Sequence, residues 1–120
     1  MADEITYQVY LKLVNGNRKP GWAIAAQTVD QTGTDYNWTT QTISNAAAEA
    51  LALGDIGTPG LMMVQNLGAN YIEIGYDDTG FKPTVKLLAG EWACFRLAKA
   101  APQAQAITGA VVVEFFLIEA

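Results

Sequence analysis

The sequence predicts an all-β fold: antiparallel strands in a sandwich or a barrel, with at most one short helical turn, formed by one domain over residues 1–120. Three observations lead there. Apolar and polar residues alternate with period two in several segments, as strands with one buried face require. Clusters of Gly, Asn, Asp and Pro interrupt these segments about every 8–12 residues, the spacing of short antiparallel strands. Few stretches carry the 3.6-residue period of an amphipathic helix. About eight or nine strands result, a number that a sandwich or a barrel accommodates.

The first segment alternates most clearly. Ile5, Tyr7, Val9, Leu11 and Leu13 fall on one face, and Thr6, Gln8, Tyr10 and Lys12 on the other. Asn15-Gly16-Asn17 supplies residues that tolerate positive φ, and Arg18 to Gly21 extends the break. Trp22 to Val29 is the returning strand, and Asp30 to Gly33 a second turn. Asn37 to Ser44, rich in Thr, suits a strand with one wet face. The Ala-rich Asn45 to Leu53 has helix propensity and a capping Ser44 or Asn45, so a helical turn followed by a short strand is expected there.

Gly54-Asp55 ends that strand, and Ile56 to Gly60 is a loop by composition. Strand signals follow at Leu61 to Gln65, Asn70 to Tyr76, Val85 to Leu88 and Glu91 to Leu97. Asp77 to Gly80 forms one turn between them and Ala89-Gly90 another. Lys99 to Thr108, rich in Ala, Gln and Pro, reads as the one loop long enough to be an arm or lid. Ala110 to Glu119 is a nearly continuous apolar run, expected as a central strand covered on both faces.

The composition bounds function as well as fold. Of 120 residues, 51% are hydrophobic and 16% charged, too apolar for a disordered chain. Twelve acids against seven bases give a net charge of −5. That balance argues against a nucleic-acid partner, which needs a basic face, and against attachment to an anionic membrane. The longest uncharged stretch, Ile56 to Ile72, is interrupted by Gly, Pro and Asn and predicts no helical bilayer span. The acidic start, Met1 to Glu4, lacks the basic and apolar regions of a secretory leader, so synthesis in a cytoplasm is expected. On that expectation the sequon Asn37-Trp38-Thr39 carries no meaning. A single Cys94 excludes an intrachain disulfide.

Residues that could carry chemistry are few. The chain has no His, so the commonest general base and the usual zinc ligand sets are missing. Asp78-Thr79-Gly80 matches the turn of aspartic proteases, whose two aspartates share one proton among apolar neighbours. Here Asp77 precedes it and Phe81-Lys82-Pro83 follows, a pattern that fits a solvated hairpin tip. Gly54, Gly57 and Gly60 lack the pattern of a phosphate-binding loop, and Asp55, Asp77 and Asp78 lack calcium-loop spacing. No catalytic residue, metal or cofactor is therefore expected. Trp38, set among threonines, is the tryptophan expected to be exposed and could stack on a sugar or anchor an interface. Trp22 and Trp92 are expected in the core. Arg96 is a candidate for a cross-strand pair with Glu73 or Glu91, or for a contact with another subunit.

Two segments also carry a resemblance. Leu61-Met62-Met63-Val64-Gln65-Asn66-Leu67-Gly68-Ala69-Asn70-Tyr71-Ile72-Glu73-Ile74-Gly75 resembles a segment of small virion proteins of tailed bacteriophages. Leu87-Leu88-Ala89-Gly90-Glu91-Trp92-Ala93-Cys94-Phe95-Arg96-Leu97 is similar to the Leu-x-x-Gly-Glu strand that follows in them, and the closing Val111 to Ala120 strand also fits. The resemblance covers the carboxy-terminal half. It implies an antiparallel β-sandwich on the virion, with a jelly roll as one form of it, of the capsid decoration (cement) type: a homo-oligomer, with a trimer favoured, that clamps the major capsid protein. It implies no catalytic residue. On that reading the residues before Ile5 and the Lys99 to Thr108 loop become arms, and Trp38, Arg96, Pro102, Gln103 and Gln105 become candidate contact residues. The alternative is a tail, neck or baseplate domain, with carbohydrate or host-surface binding near Trp38.

Overall fold

Ten strands run antiparallel in three sheets, with no helix among the described residues. The computed structural model describes residues 3–120. These divide into two compact units, one ending at Thr32 and the other spanning Gly33–Ala120. The sandwich expected across the whole chain is built by Gly33–Ala120, and the first two strands form a unit of their own.

That first unit is a hairpin of β1 (Ile5–Lys12) and β2 (Gly21–Val29). Between the pairs Tyr7–Gln27 and Val9–Ile24, β2 advances three residues against two, so it carries a β-bulge. At the tip, Asn15 and Arg18 exchange backbone hydrogen bonds of 2.8 and 3.0 Å. Gly16 takes φ of 60°, the positive value that the first central position of such a tight turn needs. Asp3 and Glu4 do not reach away as an arm. The Asp3 N–H donates to Asp30, the Asp3 carboxylate accepts from Thr28, and Glu4 accepts from the Gln31 N–H. Met1 and Ala2, the rest of that expected arm, lie outside the described residues.

The second unit contains β3 (Tyr36–Ile43), β4 (Glu49–Ala50), β5 (Leu61–Asn66), β6 (Ile72–Asp77), β7 (Phe81–Leu87), β8 (Trp92–Arg96), β9 (Gln103–Ala106) and β10 (Val111–Ile118). One four-stranded sheet has the order β3-β10-β5-β8 and the other β4-β9-β6-β7. Successive strands therefore change sheet at every step except the β6–β7 hairpin, and the last strand returns beside the first. That eight-stranded order is a jelly roll.

The core lies between the two sheets. Ile43, Met62, Val64, Val113, Phe115 and Leu117 enter it from one sheet, and Ile72, Ile74, Leu87, Ala104 and Ala106 from the other. Strand β10 is central, as expected, but covered on one face only. Val111, Val113, Phe115 and Leu117 are buried, while Val112, Glu114, Phe116 and Ile118 face outward. Two layers can hide only one face of each sheet, so a run of apolar residues here means a half-buried strand with an apolar outer face.

Three further expectations are corrected. Asn45 to Leu53 forms bends and the short β4, without a helical turn, because the register of Glu49 and Ala50 against β9 claims the backbone. The Lys99 to Thr108 loop contains β9, which pairs with β6 and β4. Its Gln-Ala-Gln-Ala pattern is a period-two strand: Ala104 and Ala106 are fully buried and Gln103 and Gln105 face outward. Strand β7 starts at Phe81 and includes Pro83. It is an edge strand, and its pairing with β6 slips at Ile74–Gly75, the kind of place that tolerates a missing N–H.

Candidate functional site

Cross-strand partners in antiparallel sheets point to the same side, so register places the outward residues of β3-β10-β5-β8 in transverse rows. One row reads Thr40, Glu114, Gln65, Trp92. The next reads Trp38, Phe116, Met63, Cys94. The first row carries a hydroxyl, a carboxylate and a carboxamide, and the second is apolar. Each row ends on a tryptophan at one edge of the sheet, Trp38 on β3 and Trp92 on β8.

The aromatic end is held in place. The Trp38 indole stacks on Phe116 with ring centroids 5.1 Å apart and 17° between planes. Tyr36 tilts against the other side of the group, 5.7 Å from the Phe116 centroid. The Trp38 Nε1–H donates to Glu114 Oε2 at 2.7 Å, a charge-assisted bond that fixes both side chains. Trp38 nevertheless remains 61% exposed. Trp38, Phe116, Met63, Gln65 and Glu114 line a concavity of about 370 Å³. The Gln65 amide is anchored to the Gly90 carbonyl at 3.3 Å.

Of the expected contact residues, Trp38 belongs to this site. Arg96 lies on the outer face of β8, where its Nη1 donates to the Ala120 carbonyl at 3.1 Å. Glu91 is occupied by the Leu88 N–H, and Glu73 is in the other sheet. Arg96 and Pro102 share a second cleft of about 310 Å³, with Tyr76, Phe95 and Lys99. Pro102 itself, immediately before β9, is fully buried. Gln103 and Gln105 sit on the outer side of the opposite sheet. The five residues therefore form no single surface.

Trp22 and Trp92 correct the sequence expectation. Trp92 occupies an outward position on an edge strand and is 52% exposed. Trp22 is 71% exposed on the first hairpin, beside its cross-strand partner Leu11 at 74%. In that two-stranded unit, Val9 and Leu11 on β1 and Ile24 and Trp22 on β2 share one face. Alternation reveals which side of a strand is apolar, not whether a second layer covers it.

The remaining candidates are quickly placed. Asp77 to Gly80 is an exposed hairpin tip, with Gly80 N–H bonded to Asp77 and Asp78 N–H to the Gly80 carbonyl. Among the described residues, no group of three or more Asp, Glu or Cys side chains is placed to hold a metal ion. No described helix is long and apolar enough to cross a membrane. Cys94 is half-buried in the apolar row, and desolvation by burial pushes its thiol pKa above the ordinary value. The Asn66 side chain, fully buried, was missed as a structural determinant. Its amide donates to the Asn70 and Leu87 carbonyls at 2.8 and 3.1 Å, and its oxygen accepts from the Gly68 N–H at 2.8 Å.

Compared with protein-family models, curated proteins and solved structures, the chain matches none of them.

Proposed function

We propose that this chain is a bacteriophage virion structural protein of the capsid decoration type, binding the head shell as a homotrimer and stabilising it. The observation that carries the reading is the first hairpin. Its apolar face, centred on Leu11 and Trp22, is exposed in the single chain. Two-stranded hairpins are marginal in water by themselves, and contiguous exposed apolar patches mark association surfaces. The jelly roll adds support, since that architecture recurs in capsid proteins. So does the resemblance of the Leu61–Gly75 and Leu87–Leu97 segments to phage virion proteins.

A decoration protein stabilises a shell by linkage, because binding to the assembled lattice favours that state over its alternatives. Repeated weak contacts then add through avidity. The exposed seven-tenths of the Trp22 indole is about 180 Å², worth about 4 kcal/mol if fully buried between copies, before association costs. Trp22→Ala is therefore expected to weaken self-association by about a hundred-fold or more while the sandwich keeps its thermal transition. Sedimentation velocity over a concentration series measures it. A wild-type chain that remains a monomer throughout overturns the oligomeric reading.

A further inference from the structure

We propose that the outer face of β3-β10-β5-β8 binds a neutral oligosaccharide along the two rows that run from Trp38 to Trp92. This does not depend on the hairpin reading, because it concerns a different surface and a different kind of ligand.

The surface and a sugar match in chemistry. A pyranose ring has an apolar face of C–H groups and a rim of hydroxyls. The two rows have the same division: Trp38, Phe116, Met63 and Cys94 beside Thr40, Glu114, Gln65 and Trp92. Aromatic faces carry negative quadrupole density and attract polarised C–H bonds, while carboxylate, carboxamide and hydroxyl side chains satisfy hydroxyls. A cation would need the carboxylate alone, and a purely apolar ligand would take water from Glu114 and Gln65 and offer no hydrogen bond in return.

Geometry supports the same ligand. The concavity of about 370 Å³ is within the usual size of small-molecule sites. Glu114 uses Oε2 to hold Trp38, and its Oε1 makes no hydrogen bond among the described residues. Trp38 is fixed before any ligand arrives by its bond to Glu114 and its stack on Phe116, so little side-chain entropy is lost on binding. Strand spacing and rise put the two terminal tryptophans about 16 Å apart across the sheet, room for an oligosaccharide rather than one ring.

The test is an array of neutral hexose and N-acetylhexosamine oligomers, with calorimetry on those retained. Binding to at least one neutral oligomer is expected, with affinity rising from monosaccharide to oligosaccharide. Trp38→Ala is expected to lower that affinity about ten-fold or more, one aromatic contact's worth. Glu114→Gln, which keeps an acceptor for the indole N–H, guards against a folding defect and is expected to weaken binding several-fold with an unchanged circular dichroism spectrum. Trp92→Ala is expected to reduce affinity for longer oligomers and spare short ones. Absence of binding to every oligomer overturns the proposal. So does binding indifferent to both Trp38→Ala and Glu114→Gln. Loss of head-shell binding in Trp38→Ala without any glycan response reassigns this face to protein docking and also overturns it.

Discussion

Replacing Asn66 by Ala removes a side chain that ties the end of β5 to the turn after it and to the end of β7. Asn66 ends β5, and its side chain reaches the Asn70 carbonyl in the next turn and the Leu87 carbonyl at the end of β7, while accepting from Gly68. Its backbone bonds to Gly90 and Glu91 in the turn before β8. Alanine leaves two carbonyls and one N–H without these partners, the Leu87 carbonyl at a buried position and the other two partly buried. Each buried group left unsatisfied costs about 1–3 kcal/mol, so a loss of about 4 kcal/mol is expected. For a unit of this size that corresponds to a fall in Tm of about 15–30 °C.

Urea titration followed by circular dichroism measures the change, with the slope checked for constancy. Asn66→Asp separates donors from acceptor, because it keeps an oxygen for Gly68 but turns a carboxylate toward two carbonyl oxygens. That environment raises the folded-state pKa of the new carboxyl. Its stability deficit relative to wild type is therefore largest at neutral pH and shrinks as pH falls and the group takes up a proton. A loss below about 1 kcal/mol for Asn66→Ala, or an Asp variant as stable as wild type at pH 7, would refute the reasoning.

Other perturbations have equally definite outcomes. A Cβ at Gly75 meets the Lys82 carbonyl oxygen where β6 and β7 slip register, so Gly75→Ala is expected to cost about 3 kcal/mol or more; chemical denaturation checks it, and near-wild-type stability contradicts it. The Cys94 thiol holds its proton longer in the folded protein than in the unfolded chain. Its contribution to stability is present at neutral pH and is lost as pH rises through the raised thiol pKa, and Cys94→Ser is expected to flatten that alkaline decline. Iodoacetamide is expected to alkylate Cys94 more slowly in the native protein than in urea at the same pH, which mass spectrometry reads directly.

What was legible in the sequence follows from what period and turn chemistry encode. The alternation of Ile72, Ile74 and Tyr76 and the Asp77 to Gly80 turn placed β6 and its hairpin tip correctly. The Val111 to Ile118 run located the central strand, though the apolar outward residues Val112, Phe116 and Ile118 disguised its one-sided burial. Strand β9 was hidden because alanine and glutamine have low strand propensity and small Ala104 and Ala106 give little hydrophobic signal. Register is absent from any local pattern. Only pairing across β3, β10, β5 and β8 brings Trp38, Glu114, Gln65 and Met63 into one concavity, so Trp38 was recognisable alone and its partners were not. The exposed Trp22 shows the same limit, since the strand pattern is identical whether or not another layer covers it.

The proposal that this chain decorates a phage head is tested most directly by its copy number in purified virions with heads and tails separated. Decoration predicts many copies, approaching those of the major capsid protein and confined to heads. A small number travelling with tails or necks, or none in either fraction, would contradict it.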